Sequence, residues 1–324
     1  MPCKEGLGKY QFCQNSPYYQ EILEYVEKNN SAIENEINCN LSTTTLNFSN
    51  DSSAEKICKE FKFLYKSFRR YSAPNTKEED IYSYYDCDFL NYWLNDKLRK
   101  SDENVDKIDV RAFYKEIKNK NENFFSATKN LENYMKNIDQ EILNNMELLY
   151  HLYYNKRKIL NMLLDQDYTD PENNPCSFFR DDCHKKYVTA INKCYGIYDE
   201  FYKALKDFKS SYNDLIKQGT EDKYNCKGSD NFQLPKFDVV LQREKTKIML
   251  IQGSTSFLML ILTFPLIYKF TPFGPFLQEK IKKVKNMWKS PKKNKEKLLS
   301  SMDIGNNISD NGKYKLAYNC VTNE

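Results

Sequence analysis

Histidine is almost missing from this chain: His151 and His184 are the only two among 324 residues. General-base and metal-assisted chemistry therefore have little to work with. No Gly-rich phosphate loop, His-Glu-x-x-His, nucleophile elbow or Gly-x-Gly-x-x-Gly is present. Carboxylates abound, yet nothing singles out a pair, so no enzyme and no cofactor are expected. No segment alternates polar and apolar residues long enough to argue for a sheet. Glycine is scarce at 9 residues while Tyr and Phe reach 25 and 20. Asn and Lys are also abundant, as expected from an AT-rich coding background, with Asn and Lys on surfaces and Tyr and Phe in cores.

Stretches free of charge are scarce too. Ile248 to Tyr268, IMLIQGSTSFLMLILTFPLIY, is the one place where such a run reaches the length of a membrane span. A helix of that length covers about 31 Å against a bilayer core of about 30 Å. Gln252, Gly253, Ser254, Thr255, Ser256 and Pro265 are all tolerated in spanning helices. Just beyond it come Lys269, Lys280, Lys282, Lys283, Lys285, Lys289, Lys292, Lys293, Lys295 and Lys297, which place the carboxyl side in the cytoplasm. Residues 248–324 carry a net +7 and the whole chain +4, leaving −3 for residues 1–247. This balance gives no reason to expect a nucleic-acid partner. The opening MPCKEGLGKYQFC lacks a basic n-region and an apolar h-region, so the internal run is expected to serve as targeting signal.

Nine of the ten cysteines, Cys3, Cys13, Cys39, Cys58, Cys87, Cys176, Cys183, Cys194 and Cys226, fall on the expected outer side, with Cys320 in the tail. They are disulfide candidates in an oxidising compartment; nine is odd, and connectivity does not follow from sequence. Cys176, Cys183, His184 and Cys194 lack the tight Cys-x-x-Cys pair of a zinc site, which leaves no metal expected.

The outer region reads as helices throughout. Tyr18, Tyr19, Ile22, Leu23, Tyr25 and Val26 make one amphipathic stripe, and Ile57, Phe61, Leu64, Tyr65 and Phe68 a second. Ser52 with Glu55 fits a capping box before the second helix. In YSYYDCDFLNYWLNDKL, Phe89, Tyr92 and Trp93 are the expected core anchors. Two long helices are expected over 110–136 and 138–164, the second with Ile138, Ile142, Met146, Leu149, Tyr153, Leu160 and Leu163 on one face as a bundle spine. DQDYTDPENNPC connects it to two further helices, with Tyr198, Phe201, Tyr202, Leu205, Phe208 and Tyr212 on the buried side. Past the span, TPFGPF ends one helix and FLQEKIKKVKNMWKS starts another. There Leu277, Ile281, Val284 and Trp288 form an apolar line flanked by lysines. Lys280, Lys282, Lys283, Lys285, Trp288 and Lys289 are expected to meet the anionic inner leaflet.

The expected architecture is thus all-α. A helical bundle ectodomain with cysteine cross-links covers 1–227, a stalk 228–247, a transmembrane helix 248–268, and a basic, largely disordered cytoplasmic tail 269–324. The blocks YDCDFLNYWLNDKL (85–98), with its Cys87–Leu94 core, the helices around Cys176, Cys183 and Cys194 leading into YDEFYKALKDF, and YKFTPFGPFLQEKIKKVKNMW (268–288) resemble the variant surface proteins of malaria parasites, the Vir branch of the Plasmodium interspersed repeat (PIR) superfamily. The resemblance implies export to the infected red cell, antigenic variation, immune evasion and adhesion to a host surface receptor. Antibodies are the further partner of such an antigen; membrane lipid is the partner expected of the span and the basic helix, and cytoskeletal or membrane components reached by the tail belong to a rival reading, a structural membrane anchor acting from the inside.

Overall fold

The computed structural model describes residues 8–29, 51–68, 84–101, 109–120, 122–125, 131–164, 172–217, 222–270 and 273–288, with the single positions 31, 33, 39, 41, 168 and 170. Two bodies are distinguished, Met1–Ile248 and Met249–Glu324. The first holds α1 (Ser16–Lys28), α2 (Asp51–Ser67), α3 (Tyr84–Ser101), α4 (Val110–Asn119), the single turn α5 (Leu131–Tyr134), α6 (Gln140–Leu164), α7 (Cys176–Lys193) and α8 (Glu200–Ile216). Helix α9 (Val239–Phe270) begins in the first body and runs into the second, which also holds α10 (Phe273–Trp288). No strand occurs among the described residues.

Short carboxylates set the helix starts. Asp109, Asp139, Asp199 and Asp238 each accept the backbone N–H two residues on, at 2.9, 2.8, 2.8 and 3.1 Å. Each satisfies a donor the first turn would otherwise orphan, worth about 1 kcal/mol.

Helix α6 is the spine. It packs on α7 along its length and also meets α1, α3, α8 and the 3-10 turn Gln11–Asn15. That many neighbours explain a departure from the expected single stripe. Met146, Leu149, Tyr153 and Leu163 are buried, but so are Leu143, Tyr150, Leu152 and Ile159, as befits a helix enclosed on several sides. Ile142 and Leu160 are only half-buried. The long helix expected over 110–136 is instead α4, a 3-10 turn Glu122–Phe125 and the turn α5. The Ser52–Glu55 capping box rests on a side chain outside the described residues.

The link from α5 to α6 is held by a polar ladder on α3. Asn91 and Asn95, one helical turn apart, are 6% and 1% exposed. Asn91 Oδ1 accepts the Lys136 N–H at 3.0 Å, Asn95 Oδ1 the Ile138 N–H at 2.9 Å, and Asn95 Nδ2 donates to the Lys136 carbonyl at 3.0 Å. A turn further on, Arg99 donates to the Ile138 carbonyl and to Gln140. These side chains give a link outside any helix the partners that a strand would have given it. Asn95→Leu leaves the buried Ile138 amide and the part-buried Lys136 carbonyl unpaired, and is expected to cost about 2–3 kcal/mol. Urea unfolding of the two proteins in the same detergent checks it; a loss under about 1 kcal/mol would show that water replaces the ladder.

Residues 228–247 are not a free stalk. Phe232, Leu234 and Val240 are buried. Tyr212 donates to the Phe232 carbonyl at 3.0 Å, Lys209 to the Pro235 carbonyl at 2.6 Å, and Tyr202 to Asp238 at 2.8 Å. Apolar residues at 232, 234 and 240 supply the burial that its polar appearance conceals.

Candidate functional site

The chemistry this chain offers lies in its apolar helix and in its cysteines. Over Val239–Ile267, α9 is long and apolar enough to cross a membrane and none of its apolar window is buried. Phe257, Leu258, Met259, Leu260 and Leu262 are each more than half exposed, and so continuous an apolar surface demands lipid or a partner. The eight Leu, Ile and Phe residues between Phe257 and Ile267 favour insertion by about 2–5 kcal/mol, with no charge opposing them. Its polar residues are reconciled locally. Ser254 and Thr255 donate to the Ile251 carbonyl, both at 2.9 Å, and Thr263 to that of Met259 at 2.8 Å, so their hydroxyls do not enter hydrocarbon unpaired. Pro265 lies inside the helix.

Helix α10 starts at Phe273, inside TPFGPF and ahead of the expected start. Pro275 falls in the first turn, where its missing N–H is no loss. Ile281 and Val284 are exposed, as are Lys280, Lys282, Lys283 and Lys285. Trp288 closes the helix without a described side chain, and Lys289 lies outside the described residues.

The nine candidate cysteines divide. Cys39 pairs with Cys58 and Cys176 with Cys226. Cys87 is disulfide-bonded too; Cys3 lies outside the described residues. Cys13, Cys183 and Cys194 are instead buried free thiols, a correction to their place among the disulfide candidates. Their environments suit thiols: Cys13 Sγ donates to the Met146 carbonyl at 3.6 Å and Cys194 Sγ to that of Ala190 at 3.5 Å. Burial pushes all three thiols up, Cys194 to about 12. The native protein is therefore expected to leave these three unalkylated at pH 8 and to expose them only in denaturant; mass spectrometry after iodoacetamide treatment reads this directly, and rapid native labelling would contradict it. Cys176 is spent in its disulfide, so Cys176, Cys183, His184 and Cys194 do not meet as metal ligands. Among the described residues no cluster of His, Cys, Asp and Glu is arranged to hold a metal.

Phe89, Tyr92 and Trp93 sit in an aromatic core: Phe89 stacks on Tyr19 with centroids 4.0 Å apart, Phe12 meets Tyr92 at 5.2 Å and Phe61 meets Trp93 at 6.0 Å. Beside them a cleft of about 480 Å³ is lined by Tyr92, Trp93, Asp96, Glu147, Tyr150 and His151. Five of its charges are already paired, Lys100 with Asp96 at 2.8 Å and Glu147 at 3.4 Å, and Lys97 with Glu60 at 3.0 Å. Burial first, then Lys186, keeps the His151 imidazole below its usual pKa, hence neutral near pH 7.

Three polar groups that composition and spacing do not single out hold the end of the bundle where α6 stops and α7 starts. Lys158 pairs with the buried Asp170 at 2.7 Å. Asp170 Oδ2 also accepts the N–H groups of Glu172 and Asn174, which shapes the DQDYTDPENNPC connector. Burial pushes the Asp170 carboxyl up, but the Lys158 hydrogen bond and charge and these amides hold it below its ordinary range. Arg180, 7% exposed, grips Asp181 and donates to the carbonyls of Asn225 and Cys226, both at 3.4 Å. Its guanidinium thus docks the chain around the Cys176–Cys226 bridge.

No family model, curated protein or solved structure matches this chain.

Proposed function

We propose that the chain is a single-span membrane protein with its amino-terminal side outside and a short basic cytoplasmic tail. Its helical body acts as a variant antigen of the PIR superfamily, Vir branch, displayed by the infected red cell for antigenic variation, immune evasion and adhesion to a host receptor. The observation that carries the topology is the exposed apolar helix between a mildly acidic 1–247 and a lysine-rich tail. What supports the family reading is the sequence resemblance, above all the block 268–288; two disulfides in the first body are compatible with an oxidising outer compartment. Protease shaving of intact infected cells tests it: loss of the 1–247 portion supports display, and full protection overturns it.

A second reading has its own observation, the exposed lysines of α10 beside Ile281 and Val284. In it the protein is an anchor on an internal or host-cell membrane that works through the tail, each lysine near an anionic surface contributing about 1 kcal/mol. Co-sedimentation of a 269–298 peptide with phosphatidylserine vesicles supports the lipid contact; binding indifferent to anionic lipid sinks it.

A further inference from the structure

The turn Tyr195–Tyr198, between α7 and α8, carries the two most exposed aromatic rings among the described residues of the first body. Tyr198, expected on the buried side, is 84% exposed and Tyr195 is 72% exposed. Ile197, between them, packs against the core, so the turn is seated by its middle and presents a ring on either side.

Its position is fixed by the first turns of α9. Arg243 Nη1 donates to the Cys194 carbonyl at 3.1 Å. Gly196 lies so close to Glu244 that an added Cβ would come within 3.4 Å of its Oε1. Lys247 lines one open cleft of about 540 Å³ together with Tyr195, Gly196, Ile197, Tyr198 and Lys9. All of these residues belong to the first body. Lys247 is the residue before Ile248, where the charge-free run begins. Arg243 stands five residues earlier, about 7–8 Å along the helix. The turn is therefore held against residues 243–247 of α9, the stretch that directly precedes the charge-free run, and the headgroup zone on each face of a bilayer is about 6 Å deep.

The charges of this surface suit a zwitterionic leaflet. Lys9 pairs with Glu200 at 3.2 Å and Lys247 with Glu244 at 2.8 Å. Tyr195 donates its hydroxyl to Glu141 at 3.0 Å, and Asp199 is engaged by the amides of Phe201 and Tyr195. The lining also holds the carboxylates Glu141 and Asp199 beyond the two ion pairs, which disfavours an anionic leaflet; what the turn offers a neutral one is two amphipathic rings, the side chain that membrane–water interfaces enrich.

We propose that the Tyr195–Tyr198 turn is a lipid-interface contact: its two rings rest in the headgroup layer of the outer leaflet, bracing the helical body against the membrane that α9 crosses. The proposal rests on the reading of α9 as a span.

A photoreactive phenylalanine analogue placed singly at Tyr198, at Leu258 or at Phe178 tests it, with the full chain reconstituted in phosphatidylcholine nanodiscs. Phe178 is a matched control, 54% exposed and near the opposite end of α7. Crosslinks to lipid at Tyr198 and Leu258, and at least tenfold less at Phe178, support the contact. Lipid crosslinks at Leu258 with Tyr198 no higher than Phe178 overturn it while leaving the span intact. Crosslinks from Tyr198 to a second copy of the chain overturn it in favour of a protein interface. Absence of lipid crosslinks at Leu258 overturns the span and the contact with it.

Discussion

Cys226→Ser is expected to lower the stability of the helical body by about 4 kcal/mol. The Cys176–Cys226 bridge spans 50 residues, and closing a loop of that length in the unfolded chain is worth about 4 kcal/mol. The loss has a local signature. Arg180 still holds the carbonyls at 225 and 226, but both of those contacts are long. Asn225, in the left-handed region at φ 51°, belongs to a turn in which Gly228 approaches it so closely that any Cβ would collide with its side-chain amide. Asp222 still accepts the amides of residues 226 and 227 at 2.6 and 2.7 Å, but the covalent tether of this segment to α7 is gone. Hydrogen exchange at Phe232 and Val240 should therefore rise ahead of exchange in α6. By the same relation the 19-residue Cys39–Cys58 bridge contributes about 3 kcal/mol, so Cys58→Ser should be the milder of the two. Equal and small effects, under about 1 kcal/mol each, would mean that the bundle does not depend on its cross-links.

Lys158→Met should be nearly as damaging, costing about 3–5 kcal/mol at pH 7, because it strands the Asp170 charge in the interior. The ammonium also faces the rings of Tyr154 and Phe179, at 5.3 and 5.8 Å, so packing as well as charge is lost. The pH dependence separates the two. In the native protein the Asp170 carboxyl is held below its usual 3.8; a carboxylate more acidic folded than unfolded stabilises the fold above the unfolded pKa, and that part is lost as pH falls through the lower folded value. Without Lys158 only the amides of Glu172 and Asn174 oppose burial, so the carboxyl rises from its native value. The deficit of Lys158→Met against the native protein should accordingly be full at neutral pH and shrink as the pH falls below the ordinary carboxyl value of 3.8. The double variant with Asp170→Asn should recover a large part of it. A deficit independent of pH would assign the loss to packing alone.

Much of the helical framework can be read from apolar spacing. The stripe Ile57, Phe61, Leu64, Tyr65 and Phe68 is buried throughout, and Phe89, Tyr92 and Trp93 lie in the core, because a helix with one buried face writes its period into the sequence. The spine α6 is harder, since burial on several sides erases that period. The Asn91–Asn95 ladder looks like an ordinary polar face; only the link lying across it turns those amides inward. Tyr198 shares the helical spacing of Phe201, Tyr202 and Leu205 but lies ahead of the Asp199 cap, outside the helix whose face it was expected to join. Disulfide partners come from long-range packing, which no local pattern encodes, and burial with a carbonyl partner leaves Cys13 and Cys194 as thiols. The apolar helix is the element most plainly legible, since an uncharged run of that length has few alternatives.

The measurement that bears most directly on the central claim is accessibility of an epitope near Met1 and another near Glu324, on intact and then on permeabilised infected cells. The account predicts that the amino-terminal epitope is reached from outside and the carboxyl-terminal one only after permeabilisation. An amino-terminal epitope protected until permeabilisation would contradict it, placing the helical body away from the cell surface and leaving the basic tail as the part that acts.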